Sequence, residues 1–270
     1  GYDSLGANTT GHSNVAVGKS SMAANTTGLE NVALGMVALD ANTTGDSNTA
    51  LGHAALSTAT TADNNVAVGY KSLYLNTTGA NNTAVGKSSL AANTTGANNT
   101  AVGALAGDAI TEANYNVVMG YAALSTNILG SRSTALGSFA LYNQNPASAV
   151  DMYNVAVGYD AGNAVTTGIQ NTFVGGLAGD ATDDGAYNTA VGHLALSANC
   201  GNSNTAVGYD ALLVATGVSN TAMGSDAGAA ITSGSNNLCL GFQAGITGSP
   251  GGNIVTGSNE MALGDENIVS

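Results

Sequence analysis

Few side chains in this sequence could perform acid–base, nucleophilic or metal chemistry. His12, His53 and His193 are far apart in the chain, and no partners stand at the spacing of a catalytic triad or a metal site. Asp210 and Asp226 occupy equivalent positions in successive repeats, which would place their carboxylates about 5 Å apart in a stack of strands. They are weak candidates for a metal site, with a solvated acidic surface as the alternative. We expect no catalytic residue, no cofactor and no enzymatic activity.

Aromatic side chains are the better candidates for recognition. On an otherwise polar surface they can stack on sugar rings, although packing between chains would also explain them. Several aromatic residues directly follow a glycine of the repeat: Tyr2, Tyr70, Tyr121, Tyr159, Tyr209 and Phe242. Two longer repeats contain the only prolines and predict loops at 142–153 and 247–256. The candidate receptor or glycan contacts are Tyr142, Tyr153, Tyr159 and Phe242.

These residues are carried by a repeat of 17 residues. A tetrad of Asn, then Thr or Val, then Ala, then Val, Leu or Met ends in a glycine, which we count as position 0 of each coil. A short fixed period means that each unit must bury its apolar face against its neighbours. The glycines are Gly18, Gly35, Gly52, Gly69, Gly86, Gly103, Gly120, Gly137, Gly158, Gly175, Gly192, Gly208, Gly224, Gly241 and Gly264.

The pattern within one coil predicts an all-β, parallel β-solenoid of about sixteen coils. Seventeen residues with two turns leave room for two strands of about five residues each. Position 3 is always Ala or Ser, and position 4 is Leu, Met or Gly, so small residues must fill the interior. Position 15 is an Ala row suited to a narrow interior, whereas the larger aliphatic row at position 16 needs a second partner surface. The regular part is predicted over 1–241, and an irregular terminal coil and transition segment over 242–270.

Two polar columns are expected along the solenoid. Asn at position 13 is present in thirteen of fifteen coils and predicts a hydrogen-bonded amide ladder. The early coils also contain Asn-Thr-Thr-Gly, as at 25–28, which is typical of turns. Its Thr pairs would form a hydroxyl column, and this leaves an ice-binding surface as one alternative. The Asn residues of this motif also begin N-x-T sequons, which turn chemistry explains without glycosylation.

Composition excludes several partners. The chain has 270 residues, 38 glycines and no tryptophan, with 17 acidic against 4 basic residues and a formal net charge of −13. Without a basic stripe, nucleic acid binding is not expected. No apolar stretch is long enough to span a bilayer, so no membrane insertion is expected. Cys200 and Cys239 lie about 12 Å apart by coil spacing and are expected to be free thiols.

The repeat resembles those of phage tail-fibre shafts and of bacterial tail-fibre-domain adhesins. The resemblance rests on units such as N-T-A-V-G-K-S-S-L-A-A-N-T-T-G-A-N over 82–98 and N-T-A-V-G-Y-D-A-L over 204–212. The repeat is also distantly similar to the head repeats of trimeric autotransporter adhesins. The resemblance implies a left-handed β-roll, with three copies packed through the position 16 row. The implied trimer-core residues are Val17, Leu34, Leu51, Val68, Val85, Val102, Leu136, Val157, Val174, Val191, Val207 and Leu240.

The favoured function is therefore the structural shaft of a phage tail fibre or virion appendage that contributes to host-surface attachment. Its expected partners are further copies of itself in a homotrimer, other fibre or virion proteins and a host surface glycan. The alternatives are a bacterial cell-surface adhesin or extracellular filament protein and, third, an ice-binding solenoid. The expected location is the virion, the cell surface or the extracellular space. The chain also resembles a piece of a longer fibre protein.

Overall fold

The computed structural model describes residues 1–246, 248–249, 252–265 and 267. Within this part of the chain the secondary structure consists of short strands and turns, with no helix. The strands are β1 Val15–Val17, β2 Val32–Leu34, β3 Thr49–Leu51, β4 Val66–Val68, β5 Thr83–Val85, β6 Thr100–Val102, β7 Val117–Met119, β8 Gly130–Ser131, β9 Thr134–Leu136, β10 Val150–Asp151, β11 Val155–Val157, β12 Thr172–Val174, β13 Thr189–Val191, β14 Thr205–Val207, β15 Thr221–Met223, β16 Leu238–Leu240 and β17 Met261–Leu263.

The strands stack in two compact units. The first unit comprises residues 1–133 and 145–150, and the second comprises 134–144 and 151–270. In the first unit, six parallel pairings join β1 to β7 in chain order. In the second, seven parallel pairings join β9 and β11 to β17 in chain order. The predicted parallel β-solenoid is confirmed, with about thirteen turns where we expected about sixteen coils.

Each coil contributes one three-residue strand to the stack, and two coils also contain a two-residue strand, β8 or β10. The prediction of two five-residue strands in each coil is therefore wrong. The reason is the left-handed backbone at positions 2 and 4, for example Val37 with φ 50° and Leu39 with φ 51°. The Val37 N–H donates to Lys19 O in the preceding coil, and the Leu39 N–H donates to Ala55 O in the following coil, both at 3.0 Å. Because both amides are satisfied, the strained conformation is retained and replaces a second strand.

The repeat glycine ends each strand because no other residue fits there. Gly86 has φ 137°, and a Cβ at this position would lie 2.4 Å from the carbonyl oxygen of Gly103 in the next coil. Both the backbone conformation and the close approach of the neighbouring coil exclude a side chain. The recurrence of glycine at this position in every coil is therefore a consequence of stacking.

The interior is narrow and filled by small residues. Ala50 at position 15, Ala55 at position 3 and Leu56 at position 4 are fully buried. Where position 3 is serine, its hydroxyl is satisfied inside: Ser72 Oγ donates to Ala84 O at 2.9 Å. The prediction that alanine and serine line the interior is confirmed. The larger position 16 residues point outward, because neighbouring side chains alternate along a strand.

Candidate functional site

Aliphatic side chains at position 16 form a column on the outer face of the strands in each unit, which we call the aliphatic column. Parallel pairing places them side by side, as with Val17 beside Leu34. Both of these side chains are about half exposed, at 52% and 51%. All twelve residues implied as a trimer core lie in this column: Val17, Leu34, Leu51, Val68, Val85, Val102, Leu136, Val157, Val174, Val191, Val207 and Leu240.

The aliphatic column also contains residues that are not among the implied trimer-core residues. Met119 and Met223 occupy position 16 of their coils and are exposed at 47% and 49%. The tetrad already allowed methionine at this position, so the pattern itself could have included them. Position 14 adds a second outward row of threonine and valine, as in the register of Thr83 beside Thr100. The outer strand face is therefore regular and largely aliphatic.

The predicted Asn ladder at position 13 is confirmed, and it works mainly through the backbone. Asn31 Oδ1 accepts the backbone N–H of Asn48 at 2.8 Å, and Asn31 Nδ2 donates to Gly45 O in the next coil at 2.8 Å. Asn48 Nδ2 also lies 3.1 Å from Asn31 Oδ1. Each amide thus bridges two coils at two points, except that of Asn188, whose buried Nδ2 has no hydrogen-bond partner among the described residues. From Asn31 onward the described Asn residues of the ladder are buried. Its role is structural.

A second amide column runs through the Asn-Thr-Thr-Gly turns at position 7. Asn42 Nδ2 donates to Asn25 Oδ1 at 2.8 Å, and Asn93 Nδ2 donates to Asn76 Oδ1 at 2.6 Å. All four side chains are fully buried, so these sequons are closed to modification in the folded chain. Other sequons begin at residues that are partly or fully exposed: Asn8, Asn81 and Asn98.

The first threonine of each turn uses its hydroxyl hydrogen inside the stack. Thr26 Oγ1 donates to Thr43 O at 2.9 Å, and Thr77 Oγ1 donates to Thr94 O at 2.9 Å. The expected hydroxyl column is present, and its donors point along the solenoid axis to carbonyl groups. This geometry leaves these hydroxyls less free to bind ordered water than a column of outward-facing donors would be.

A third polar column, at position 11, was missed at the sequence level. The Leu29 N–H donates to Asp46 Oδ1 at 2.7 Å, and the Asp46 N–H donates to Asp63 Oδ1 at 2.8 Å. Asn114 and Ser131 accept in the same way in later coils. Asp, Asn and Ser share only a short side chain with an acceptor oxygen, and this chemical equivalence at one position was the available signal.

Four of the exposed aromatic side chains in the second unit share one edge of the sheet. Tyr159, His193, Tyr209 and Phe242 each follow a strand glycine, and we call them the aromatic column. The rings of His193 and Tyr209 stack at 5.8 Å between centroids with an 8° interplanar angle. Phe139 meets the Tyr159 ring edge-on at 6.3 Å.

The four predicted contact residues are separated into different places. Tyr159 and Phe242 belong to the aromatic column and are 58% and 54% exposed. Tyr142 is half-buried and packs edge-on against Phe139 at 5.7 Å. Tyr153 is exposed and lies at position 12, one residue before the strand-opening Asn154, where Tyr115 and Tyr187 also occur.

The predicted loops are only partly surface excursions. In the first, residues 145 and 147–151 are exposed, but Pro146 and Met152 are buried. Gln144 is also buried, and its Oε1 accepts from Asn154 Nδ2 at 2.9 Å. In the second, Thr247 and Pro250 lie outside the described residues, while Ile254 is fully buried. Internal side chains thus tie both segments to the solenoid.

The histidines and the predicted metal candidates lie on separate coils. In the described residues, no group of three His, Cys, Asp or Glu side chains could hold a metal ion. His12, His53 and His193 are all exposed. Asp210 and Asp226 both lie close enough to Tyr209 for their charges to raise the pKa of its hydroxyl, Asp210 having the larger effect.

Both cysteines are free and buried, as predicted. Burial raises the pKa of the Cys239 thiol to about 11 and that of Cys200 in the same direction. The Cys200 Sγ lies 3.3 Å from Thr182 Oγ1. A buried, protonated thiol is a poor nucleophile, so these residues fill space in the interior.

Comparison of the chain with protein-family models, with curated proteins and with solved structures found no match. The described part of the chain also contains no helix that is long and apolar enough to cross a membrane. The class of protein defined by the fold is therefore a parallel β-solenoid repeat protein.

Proposed function

We propose that this chain is the structural shaft of a fibre, a phage tail fibre or similar virion appendage, assembled as a homotrimer without enzymatic activity. The observation that carries the proposal is the aliphatic column. In each unit it repeats on every coil, and its members range from half exposed, as at Leu34 with 51%, to partly buried, as at Leu51 and Val102. A monomer would keep this regular apolar surface in water, which soluble monomers rarely do.

The homotrimer covers this column in the simplest way. Identical copies carry identical columns, so rotation about a common axis brings like rows together, and a closed ring leaves no column unpaired. The threonine and valine row at position 14 lies beside it and can tolerate partial burial. The polar side chains at positions 7, 11 and 13 make their hydrogen bonds within the chain, so they hold successive coils together.

The test is the molar mass of the purified full chain by size-exclusion chromatography with light scattering. The proposal expects three times 26.2 kDa, about 79 kDa. A double variant, Leu34→Asp with Leu51→Asp, would place charges in the column of every copy, and it should shift the mass toward 26 kDa while retaining the β-sheet circular dichroism spectrum. The matched control is Tyr187→Asp, an exposed position outside the column. A soluble wild-type monomer would contradict the proposal.

Attachment to a host surface belongs to the same proposal. Aromatic residues exposed on a stiff shaft are available to a surface glycan, and Tyr142, Tyr153, Tyr159 and Phe242 remain the candidate contacts. The first experiment is adsorption of the labelled full chain to host cells. Loss of adsorption in a Tyr159→Ala variant with an unchanged melting temperature would support a contact role, and unchanged adsorption in variants of all four residues would contradict it.

A further inference from the structure

The aromatic column of the second unit has the geometry of a binding strip. Tyr159, His193, Tyr209 and Phe242 follow β11, β13, β14 and β16, whose strands are paired in parallel through their neighbours. All four side chains are exposed, Tyr209 at 53%. They therefore line one edge of one sheet, where a linear ligand could contact several of them.

In two coils of this column a small residue stands in place of an aromatic ring and leaves open space. Gly176 stands between Tyr159 and His193, and Ser225 stands between Tyr209 and Phe242. A Cβ added to Gly176 would meet only the His193 ring, at 3.5 Å, so the space beside it is open. Coils rise by about 4.8 Å, so each step separates its flanking aromatic residues by roughly 10 Å.

Carboxylates accompany the aromatic rings at the next residue of the chain. Asp160 follows Tyr159, Asp210 follows Tyr209, and Asp226 occupies the same position one coil further on. Asp210 Oδ1 is a buried oxygen without a hydrogen-bond partner among the described residues. Asp160 Oδ1 already accepts from Asn163 Nδ2 at 2.9 Å, and Asp226 Oδ2 accepts from Ser225 Oγ at 3.1 Å. An ionised carboxylate can accept about four hydrogen bonds, so these side chains keep further acceptor positions next to the rings.

Charge separates this strip from the rest of the chain. The first unit contains seven acidic residues and all four basic ones, Lys19, Lys71, Lys87 and Arg132. The second contains ten acidic residues and no lysine or arginine, which gives formal charges of −3 and −10 and accounts for the total of −13. An anionic ligand would meet only repulsion in the second unit.

We propose that the aromatic column of the second unit binds a neutral oligosaccharide chain. The apolar C–H faces of the sugar rings stack on Tyr159, Tyr209 and Phe242, and their hydroxyl groups donate to Asp160, Asp210 and Asp226. Sialylated and other acidic glycans are excluded by charge. This inference deepens the attachment role in the proposed function, because it names the class of glycan and the surface that binds it.

The experiment measures binding of the full chain to immobilised neutral oligosaccharides of hexoses and N-acetylhexosamines and to their sialylated counterparts. The variants Tyr159→Ala and Tyr209→Ala should each weaken neutral-glycan binding about tenfold, which corresponds to about 1.4 kcal/mol. Asp210→Asn should weaken it in the same direction by a smaller factor. The matched control is Tyr187→Ala, because Tyr187 lies in the same unit, is equally exposed at 53% and stands outside the column.

Three outcomes would overturn this inference: no binding to any neutral oligosaccharide, preference for the sialylated probes, or equal loss in the Tyr187→Ala control. The first outcome would also result if the aromatic column were buried in an assembled fibre. The molar mass of the same preparation separates the two proposals. A monomer that binds neutral glycans would contradict the homotrimer alone, and a trimer that binds none would contradict the glycan strip alone.

Discussion

Two neighbouring coils fill the same interior with different residues. The coil that begins at Gly86 has Leu90 at position 4 and Asn93 at position 7, whereas the next coil has Gly107 and Ile110. A Cβ on Gly107 would lie 3.0 Å from Ile110 Cδ1 and 3.2 Å from Leu90 Cδ2. Ile110 thus occupies the volume that a leucine at position 4 would need. The solenoid conserves the filled volume of a coil and lets the position of the large side chain change.

The exchange of leucine at position 4 for a larger side chain at position 7 occurs in several coils, and it changes the hydrogen bonds of the turns. Asn76 Oδ1 accepts from Asn93 Nδ2, but the buried Asn93 Oδ1 has no hydrogen-bond partner among the described residues because the following coil offers Ile110. The turn ladder stops at this change of coil type with one unsatisfied acceptor. It is also interrupted at Ala59, in a coil that keeps Leu56 at position 4. Coils of the second type carry the pairs Gly107 with Ile110, Gly162 with Val165, Gly179 with Thr182 and Gly228 with Ile231.

Phe173 is the extreme case. It replaces the usual alanine at position 15 and is fully buried. Added Cβ atoms on Gly162 and Gly179 would lie 2.8 Å and 2.4 Å from its ring. One aromatic ring therefore takes the room of two position 4 side chains.

The largest expected effect breaks this compensation. Gly179→Leu would force a side chain into the Phe173 ring and should lower the free energy of unfolding by about 3 kcal/mol or more. Thermal unfolding measures it. Adding Phe173→Ala should recover most of the loss, and Gly176→Ala, where the space is open, should be nearly silent. Equal loss in the single and double variants would show that the ring and glycine are not coupled.

The next effect should be common to both types of coil. Asn82→Ala removes the acceptor of the Asn99 N–H at 2.9 Å and the donor to Gly96 O at 2.8 Å, and Asn171→Ala does the same to Asn188 and Gly185. Each should cost about 2 to 3 kcal/mol, because buried backbone groups lose partners. Chemical denaturation compares them. A large difference would mean that the ladder depends on the coil type.

Converting one coil type into the other should have a smaller effect. Gly107→Leu alone should overpack by about 1 to 3 kcal/mol. Ile110→Asn and Ala113→Gly complete the alternative set, since a Cβ at position 10 would crowd the turn Asn: a Cβ added to Gly45 would lie 2.5 Å from Asn42 Oδ1. The triple variant should unfold within about 1 kcal/mol of wild type. A triple variant no better than Gly107→Leu would contradict the exchange.

The smallest effect concerns pH. Asp108 and Asp180 directly follow position 4 glycines, and burial raises the pKa of both carboxyls above the ordinary value. A raised pKa in the folded state means that their contribution to stability is present at low pH and is lost as pH rises from 3.8 through the folded value. Asp108→Asn should therefore raise the melting temperature at pH 7 slightly, by about 1 °C, and leave it unchanged near pH 3. A lower melting temperature at pH 7 would contradict this sign.

The repeat period was sufficient to predict the class of fold. Glycine every 17 residues, alanine at position 15 and Asn at position 13 each reflect contacts between equivalent residues of neighbouring coils, and stacking imposes such contacts on every coil alike. The buried Ala50 and the amide ladder through Asn31 and Asn48 therefore matched the prediction. The outward direction of the aliphatic row also followed from strand alternation.

Only the tertiary structure revealed the features in which different residue types of neighbouring coils contact each other. The left-handed backbone at Val37 and Leu39, which removes the second strand, is stabilised by hydrogen bonds to two different coils, and no local propensity of Val or Leu indicates it. Likewise, nothing in the local sequence indicates that Ile110 fills the space beside Gly107. The sequence placed Tyr159, Tyr209 and Phe242 at one repeat position, and the structure added His193 and the exposure of all four side chains. Local sequence thus determined the repeating contacts, and three-dimensional packing determined the exceptions, because an exception is compensated by a residue elsewhere in the stack.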